Sequence, residues 1–309
     1  MELIAGVDEA GRGPLAGPVV ASAVILPENH NIEGLKDSKK LSKKKRAILF
    51  DIIQENALSI GIGKIDEKII DKINIREATF KAMQMALENL NLKPDRALID
   101  GYQLNNQIIP NIGIIGGDNI EDSIKAASII AKVTRDKIMT DYSIIFPEYG
   151  FEKHSGYGTK FHLLALDNYK ATPIHRRTFK PVKKRMPTMK WLIDNDRINW
   201  MCEKLAALHL IGMGMEIIEI NKNQSHFMNI NIIANDNNQI VYINVLNGEQ
   251  KEQNRFSKFL IKKQLKKFNN FLKESSKNSP KFNPPRFDII SVKLQPRREP
   301  DIQYLIDIK

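Results

Sequence analysis

The stretch that decides the fold lies at the start of the chain, where an apolar run meets two acids and a glycine turn: Leu3-Ile4-Ala5-Gly6-Val7-Asp8-Glu9-Ala10-Gly11-Arg12-Gly13-Pro14. Residues 3–8 are typical of a short buried strand, because the run is apolar and is followed by turn-forming residues. Adjacent strand residues point to opposite faces of a sheet, so Asp8 and Glu9 can reach the same site only if the strand ends there. We therefore expect the first strand to end at Asp8.

Outward from this segment, strands and helices alternate along the chain. Strands are predicted at residues 19–26, 57–64, 97–101 and 112–115, and helices at residues 37–53, 74–89 and 123–141. Elements interleaved in this way indicate an α/β domain built around a central sheet.

A second unit is expected after a proline-bearing and basic stretch at residues 179–187. We predict a first domain over residues 1–187, a linker over 188–195 and a smaller second domain over 196–309. The second domain reads as a helix at 194–211, strands at 216–221, 228–234, 240–245 and 287–294, and a basic helix at 254–273.

Composition limits the classes of function. The chain has 309 residues and a net charge of +11, which favours a polyanionic partner such as nucleic acid, although a generally Lys-, Asn- and Ile-rich proteome would give the same charge. A single cysteine, Cys202, excludes a disulfide framework and a cysteine-based zinc site within one chain. The start of the chain lacks the pattern of a signal peptide, and no apolar run approaches the ~20 residues that span a bilayer. We expect a soluble, cytoplasmic protein without a membrane partner.

Three of the predicted strands, or the turns after them, end at acids: Asp8 with Glu9, Asp100, and Asp118. Ligands gather at strand ends in open α/β sheets. Converging carboxylates repel unless a cation neutralises them, and hard oxygen ligands suit Mg²⁺ or Mn²⁺. Two such ions form a clamp for hydrolysis of a phosphodiester. A single acid of this kind would merely cap a strand or helix, whereas the set favours a metal site.

Further motifs follow the opening segment in a fixed order. They are Asp37-Ser38-Lys39-Lys40-Leu41, Ile99-Asp100-Gly101, Gly117-Asp118, Ala126-Ala127-Ser128-Ile129-Ile130-Ala131-Lys132-Val133-Thr134-Arg135-Asp136, Lys153-His154-Ser155-Gly156-Tyr157-Gly158-Thr159 and His175-Arg176-Arg177-Thr178-Phe179. Together with residues 6–19 they resemble the ribonuclease HII family over roughly the first 183 residues. The resemblance implies a ribonuclease H-like mixed central sheet with flanking helices.

It also implies an activity and a metal centre. The family's four metal-binding and catalytic acids fall on Asp8, Glu9, Asp100 and Asp118, with two Mn²⁺ or Mg²⁺ ions in the active complex. Asp136 is a weaker choice for the fourth acid, because its neighbour Arg135 or a helix contact accounts for it. The expected reaction is cleavage 5′ to ribonucleotides in RNA/DNA hybrids and at single ribonucleotides in duplex DNA, as in ribonucleotide excision repair, giving 3′-OH and 5′-phosphate ends. Protein partners are left open.

The resemblance also implies the residues that bind the substrate. The glycine segment at residues 11–13 and Tyr157 would sense the 2′-OH that distinguishes a ribonucleotide, and four polar side chains would contact phosphates. The candidate substrate contacts are Gly11, Arg12, Gly13, Lys39, Ser128, Lys132, Tyr157 and Thr159. The segment His175-Arg176-Arg177 either braces the end of the domain or contacts the substrate, and the sequence leaves both open.

The second half resembles the YraN-type family of restriction-endonuclease-like proteins, through Glu203-Lys204-Leu205-Ala206, Arg286-Phe287-Asp288 and the strands between them. Asn231 and Asn244 stand where that family has metal-binding acids, and Leu246 stands at its lysine position. Amides bind Mg²⁺ more weakly than carboxylates, so we expect an inactive nuclease fold retained for duplex contact or partner binding.

Two rival classes remain. One is another nuclease of the same sheet architecture, such as a ribonuclease HI, a ribonuclease HIII or a Holliday-junction resolvase; the segment at residues 11–13 and Tyr157 argue against it. The other is a nucleic-acid-binding protein without catalysis, which fits the second half but not four acids in the first.

Overall fold

The computed structural model describes residues 2–105, 107–220, 230–248, 262, 265–270, 285–296 and 298–307. The chain forms two compact units, Met1–Thr140 with Glu148–Met186, and Asp141–Pro147 with Pro187–Lys309. Each unit contains one five-stranded sheet within the described ranges.

The sheet of the first unit is mixed, as the resemblance implied. Its strands are β1 (Ile4–Ala10), β2 (Val19–Ile25), β3 (Ser59–Ile65), β4 (Arg96–Asp100) and β5 (Asn111–Ile114), in the order β3-β2-β1-β4-β5. The β1–β2 and β2–β3 pairs are antiparallel, whereas β1–β4 and β4–β5 are parallel. The parallel neighbours β1 and β4 therefore carry Asp8 and Asp100 toward the same edge of the sheet.

Strand β1 is longer than the sequence led us to expect. It continues through Asp8 and Glu9 to Ala10, and these three residues pair with Ser22, Ala21 and Val20 of β2. The predicted end at Asp8 is wrong because the antiparallel partner supplies ladder hydrogen bonds beyond the two acids.

The helices that lie wholly or mainly in the first unit are α1 (Lys43–Asn56), α2 (Glu67–Ile73), α3 (Ile75–Glu88), α4 (Asp122–Ile145), α5 (Phe151–His154), α6 (Lys160–Tyr169) and α7 (Lys180–Lys183); the last residues of α4, from Asp141, belong to the second unit. The helix predicted from residue 37 is interrupted. Asp37 caps a 3-10 turn at Ser38–Lys40, and Ser42 then caps α1 with its own side chain, so two capping residues produce two short elements. No helix within the described ranges has both the length and the apolar character needed to cross a membrane.

Close helix–sheet packing depends on small residues in the strands. A Cβ added at Gly61 or Gly63 of β3 would lie 2.0 Å from a carbonyl oxygen of α3. On β1, a Cβ added at Gly6 would lie 2.1 Å from the backbone of Ser123 at the start of α4. Side chains at these positions would push the helices away. Gly61 and Gly63 thus let α3 pack closely on β3, and Gly6 lets the start of α4 lie directly against the strand that carries Asp8.

In the second unit, the named helices and strands of the described residues include an antiparallel sheet with one parallel pair. The helices are α8 (Met189–Asp194) and α9 (Ile198–Gly212), and the strands are β6 (Glu216–Ile220), β7 (Ile232–Asp236), β8 (Gln239–Asn247), β9 (Arg286–Lys293) and β10 (Asp301–Leu305). Their order is β10-β9-β8-β7-β6, with β8 and β9 parallel.

Three sequence predictions for this unit need comment. The expected linker at 188–195 contains helix α8, capped by the Thr188 side chain. Strand β10 was not predicted at all. Of the basic helix expected at 254–273, residues 262 and 265–270 are helical, and the rest lie outside the described residues, as do residues 228 and 229 of the strand predicted at 228–234.

Candidate metal centre

Three carboxylates from three separate elements meet at the end of the first sheet to which the carboxyl ends of β1 and β4 point. Asp8 lies on β1, Asp100 is the last residue of β4, and Asp118 lies in a 3-10 turn, Gly117–Asn119, shortly after β5. Each offers one ligand oxygen, and these oxygens lie within 4.8 Å of one another. Parallel pairing of the central strands thus brings together residues that are about a hundred positions apart in the chain.

The electrostatics of this cluster favour a bound cation. Asp8 is only 4% exposed, and burial, followed by the charges of Glu9 and Asp100, raises its pKa well above the usual value. Burial and then the neighbouring charge of Asp118 also raise the pKa of Asp100. Buried acids that repel one another in this way are stabilised in their charged form by a hard divalent ion.

One lysine partly offsets the negative charge. The Nζ of Lys39 lies 3.6 Å from Oδ2 of Asp118. Burial opposes the effect, yet the carboxylates of Asp37, Asp8 and Asp118 raise the pKa of Lys39. A single ammonium group leaves the three acids with an excess of negative charge.

Backbone and amide groups orient the carboxylates. The amide of Glu9 donates to Oδ1 of Asp8 at 2.6 Å, and the amide of Asp118 donates to Oδ1 of Asp100 at 3.4 Å. The side-chain amide of Asn119 donates to Oδ1 of Asp118 at 2.8 Å. Such second contacts fix the direction in which a ligand oxygen points.

Glu9 is not part of the group of three. Its Oε1 lies 3.4 Å from Nη1 of Arg12, and its carboxylate is near enough to interact with the charges of Asp8 and Asp100. Burial raises the pKa of Glu9, while the Arg12 charge opposes this rise. Its role as a fourth metal ligand stays a prediction.

The rejected alternative, Asp136, is engaged elsewhere. It accepts from Nζ of Lys132 at 2.7 Å and from the hydroxyl of Ser155 at 2.7 Å, and Nη2 of Arg46 lies 3.8 Å away. Ion pairs and a hydrogen bond therefore account for this acid.

The predicted ribonucleotide-sensing residues lie side by side. Gly11 is buried, whereas Arg12 and Gly13 are exposed. Tyr157 is 47% exposed, and a Cβ added at Gly13 would lie 3.3 Å from Cε1 of its ring. The aromatic ring thus borders the glycine segment directly.

The four predicted phosphate contacts differ in position. Lys39 is exposed next to the acids. Ser128 is buried, where its hydroxyl shares a 2.9 Å hydrogen bond with Ser38 and also bonds Asp8. Lys132 pairs with Asp136, and Thr159 caps α6 by accepting from the amide of His162. Ser128 is therefore placed to orient Asp8. Of the four predicted phosphate contacts, Lys39 is the one whose charged group lies beside the acids.

Two arginines of this region are buried. The sequence left open whether the segment that contains Arg176 braces the domain or contacts the substrate, and it assigned no bracing role to Arg135. Arg135 and Arg176 are 1% and 0% exposed and donate to backbone carbonyls of residues 11–18. Arg176 thus braces the glycine segment from inside the protein. No sequence signal separates such an arginine from a surface one, because the bracing partners are backbone groups.

In the second unit, the amide residues at the predicted ligand positions contact one another. Asn231 donates to Oε1 of Glu203 at 2.9 Å and accepts from Asn244 at 3.3 Å and from the amide of Val245 at 2.8 Å. Over the described part of the chain, the only group of three or more potential metal ligands is the one formed by Asp8, Asp100 and Asp118.

Comparison with known proteins assigns a family to the first unit. Residues 5–182 match the family model described as Ribonuclease HII. A protein named ribonuclease HII from Enterococcus faecalis is 57% identical over 181 residues, which is 59% of this chain and 71% of that protein. The protein of the same name from Acholeplasma laidlawii is 54% identical over 181 residues, covering 59% of this chain and 89% of the relative.

Solved structures give the same result. Ribonuclease H2 from Pyrococcus horikoshii superposes with a TM-score of 0.52 and 30% identity, covering 59% of this chain and 96% of that structure. Ribonuclease HII of Archaeoglobus fulgidus, solved in a complex with PCNA, gives 0.51 and 25%, with 60% and 98% covered. The matched region in the family model contains all the predicted site residues of the first unit.

Proposed function

The chain belongs to the ribonuclease HII family, and we propose from this premise that it cuts on the 5′ side of ribonucleotides, both in RNA/DNA hybrids and at single ribonucleotides within duplex DNA. It is a metal-dependent nuclease. The observation that carries the proposal is the convergence of ligand oxygens of Asp8, Asp100 and Asp118 within 4.8 Å of one another, with the exposed residues Arg12 and Gly13 following the strand that carries Asp8. The expected products are a 3′-OH and a 5′-phosphate.

The three acids fit a divalent cation of the Mg²⁺ or Mn²⁺ type, because they offer hard oxygens, carry excess negative charge and are held in place by hydrogen bonds. Asp8, Asp100 and Asp118 would hold the metal, and we propose Glu9 as a further ligand. Two bound ions would supply an activated water and charge stabilisation at the departing 3′ oxygen.

The remaining residues orient the substrate. The exposed backbone at Arg12 and Gly13, together with the ring of Tyr157, forms the surface that would meet the ribose. A 2′-OH both donates and accepts, so it adds hydrogen bonds that deoxyribose lacks. Lys39 lies where it would contact a phosphate beside the acids, and Ser128 would position Asp8.

The test uses three labelled duplexes of one sequence: all DNA, DNA with a single ribonucleotide, and an RNA/DNA hybrid. With Mg²⁺ or Mn²⁺, cutting is expected 5′ to the single ribonucleotide and within the hybrid, and not in the DNA. Ligation and primer-extension assays identify the end groups. Cleavage only within the hybrid would favour another ribonuclease H type, and binding without cleavage would favour the non-catalytic alternative.

Variants link the reaction to the acids. Asp8→Asn and Asp100→Asn are expected to abolish cleavage. Asp167→Asn is the matched control, because Asp167 is an exposed acid paired with Arg185. Near-native turnover in either site variant would contradict the assignment.

For the second unit we propose an inactive, restriction-endonuclease-like fold that contacts the duplex. The proposal is supported by the hydrogen bond that the Asn244 side chain donates to that of Asn231, because both are amides and therefore poor ligands for Mg²⁺. Among the helical residues at 265–270, Lys266 is exposed and Lys267 is half-buried. Lys266→Glu with Lys267→Glu is expected to lower the salt dependence of duplex binding by about one to two phosphate contacts, without changing the site of cutting. An unchanged salt dependence would leave partner binding as the function of this unit.

A further inference from the structure

The loop at residues 11–18, here called the glycine loop, is fastened at both ends by one buried guanidinium group. At the start of the loop, Arg176 donates to the carbonyls of Gly11 and Arg12, at 2.6 and 3.0 Å. At its end, Arg176 donates to the carbonyls of Gly17, at 2.8 and 3.0 Å, and of Pro18, at 3.3 Å. A planar fork with several donors makes this possible, and a lysine could not reproduce it.

A second arginine fastens the same loop to the segment that carries Tyr157. Arg135 donates to the carbonyls of Ala16 and Pro18, at 3.0 and 2.9 Å, and to the carbonyl of Ser155, at 2.9 Å. The amide of Leu15 also donates to the carbonyl of Gly156 at 2.8 Å. The glycine loop and residues 155–156, which precede Tyr157, are therefore held in fixed positions relative to each other.

These contacts set the direction of two peptide N–H groups. The peptide bonds of this loop are trans, so the carbonyl of each residue points away from the N–H of the next one. Because Arg176 draws the carbonyls of Gly11 and Arg12 inward, the N–H groups of Arg12 and Gly13 point away from it. Both residues are exposed, and Gly13 borders the Tyr157 ring.

The arginines also place positive charge beneath the loop. Burial and then the charge of Arg135 lower the pKa of Arg176 to about 9, so it stays protonated near neutral pH. The buried acid Glu67 interacts with both arginines, but burial raises its pKa to about 7, so it neutralises them only in part. Positive charge behind outward-pointing amides favours a phosphate or a polar sugar in front of them.

We propose that Arg135 and Arg176 are positioning residues for ribonucleotide recognition, holding the glycine loop so that the amides of Arg12 and Gly13 face the ribose and its phosphate beside Tyr157. This inference rests on the proposed function. Neither arginine contacts the substrate; both act through the backbone of the loop.

The test is a ratio of affinities, which a loss of folded protein does not change. Each protein is titrated with two duplexes that differ only by a single ribonucleotide. Ca²⁺ replaces the catalytic metal so that binding can be measured. The preference is the dissociation constant for the all-DNA duplex divided by that for the ribonucleotide duplex. Arg176→Lys and Arg135→Lys keep the charge but lose the fork. Each is expected to reduce the preference for the ribonucleotide duplex by about fivefold, the effect of one misplaced hydrogen bond, with little change for the all-DNA duplex.

The matched control is Arg185→Lys. The Arg185 guanidinium is also a fork, but it donates to Asp167 and to the carbonyl of Pro181. The preference of the Arg185→Lys variant for the ribonucleotide duplex is expected to equal that of the wild type. An unchanged preference in both Arg176→Lys and Arg135→Lys, or equal wild-type affinity for the two duplexes, would overturn the inference. Absence of wild-type cleavage at the ribonucleotide in Mg²⁺ and Mn²⁺ would instead refute the proposed function, so the two failures are distinguishable.

Discussion

Replacing Gly11 by alanine should destabilise the first unit by about 2–9 kcal/mol, and the structure divides this effect into two parts. Gly11 has a φ of 106°, a conformation that costs a residue with a Cβ about 1–3 kcal/mol. In addition, the new Cβ would lie 2.1 Å from Nε of Arg135. The guanidinium must move, which breaks one or two of its three hydrogen bonds to buried carbonyls, at about 1–3 kcal/mol each.

Gly34→Ala separates the two parts. Gly34 has a φ of 82°, and nothing lies within 4 Å of its added Cβ, so this variant carries backbone strain without displacing a neighbour. The expected difference between the variants is about 1–6 kcal/mol, the share due to Arg135. Both tryptophans, Trp191 and Trp200, lie in the second unit, so tryptophan fluorescence would report the unfolding of the second unit and not of the first. Hydrogen exchange of the β1 and β2 amides, measured by mass spectrometry, follows the first unit. Equal protection in the two alanine variants would refute the role assigned to Arg135.

Three further predictions concern charge. Burial raises the pKa of Glu67 from 4.5 to about 7, so this group's contribution to stability is greatest below about pH 4.5 and falls by up to about 3 kcal/mol as the pH rises to 7. Glu67→Gln should flatten that part of the pH profile of the unfolding free energy, and an unaltered slope would contradict the cost assigned to the buried charge. Burial lowers the pKa of His162 from 6.5 to about 4, so its contribution to stability is complete above about pH 6.5 and is lost, by up to about 3 kcal/mol, as the pH falls to 4. His162→Asn should remove this slope from the acid side of the same pH profile of the unfolding free energy, and an unaltered slope would contradict the burial of a neutral imidazole. Asp8→Asn should raise the melting temperature of the metal-free protein while abolishing cleavage, because it removes a charge that is buried and repelled by its neighbours. Asp167→Asn should leave the melting temperature nearly unchanged. A lower melting temperature for Asp8→Asn would contradict the electrostatics described for the site.

The sequence predicted the α/β alternation of the first unit because its strands are apolar runs bounded by turn residues and its helices carry caps. It could not predict how far β1 extends. That length depends on pairing with β2, a contact outside any local window. The interruption at residues 37–43 was readable in principle, since Asp37 and Ser42 are both capping residues.

Within the candidate site, strand-end position singled out Asp8, Asp100 and Asp118, and the structure brings these three together. The roles of individual substrate residues remain predictions. The buried arginines illustrate what sequence reasoning lacks: Arg176 is adjacent to the exposed Arg177, and only the fold distinguishes a guanidinium bound to carbonyls from one in solvent. Strand β10 was missed because the segment 301–305 alternates polar and apolar residues over only five positions.

Strand β5 lies at the edge of its sheet and pairs only with β4, and the turn that carries Asp118 follows it within three residues. Asp8 and Asp100, by contrast, come from the two inner strands. An ion held by all three acids would therefore leave when the edge strand frays, not when the centre of the sheet opens. The residence time of the cation should follow the strength of the β4–β5 ladder, so a weakened ladder would speed metal exchange long before it altered the arrangement of the two inner acids.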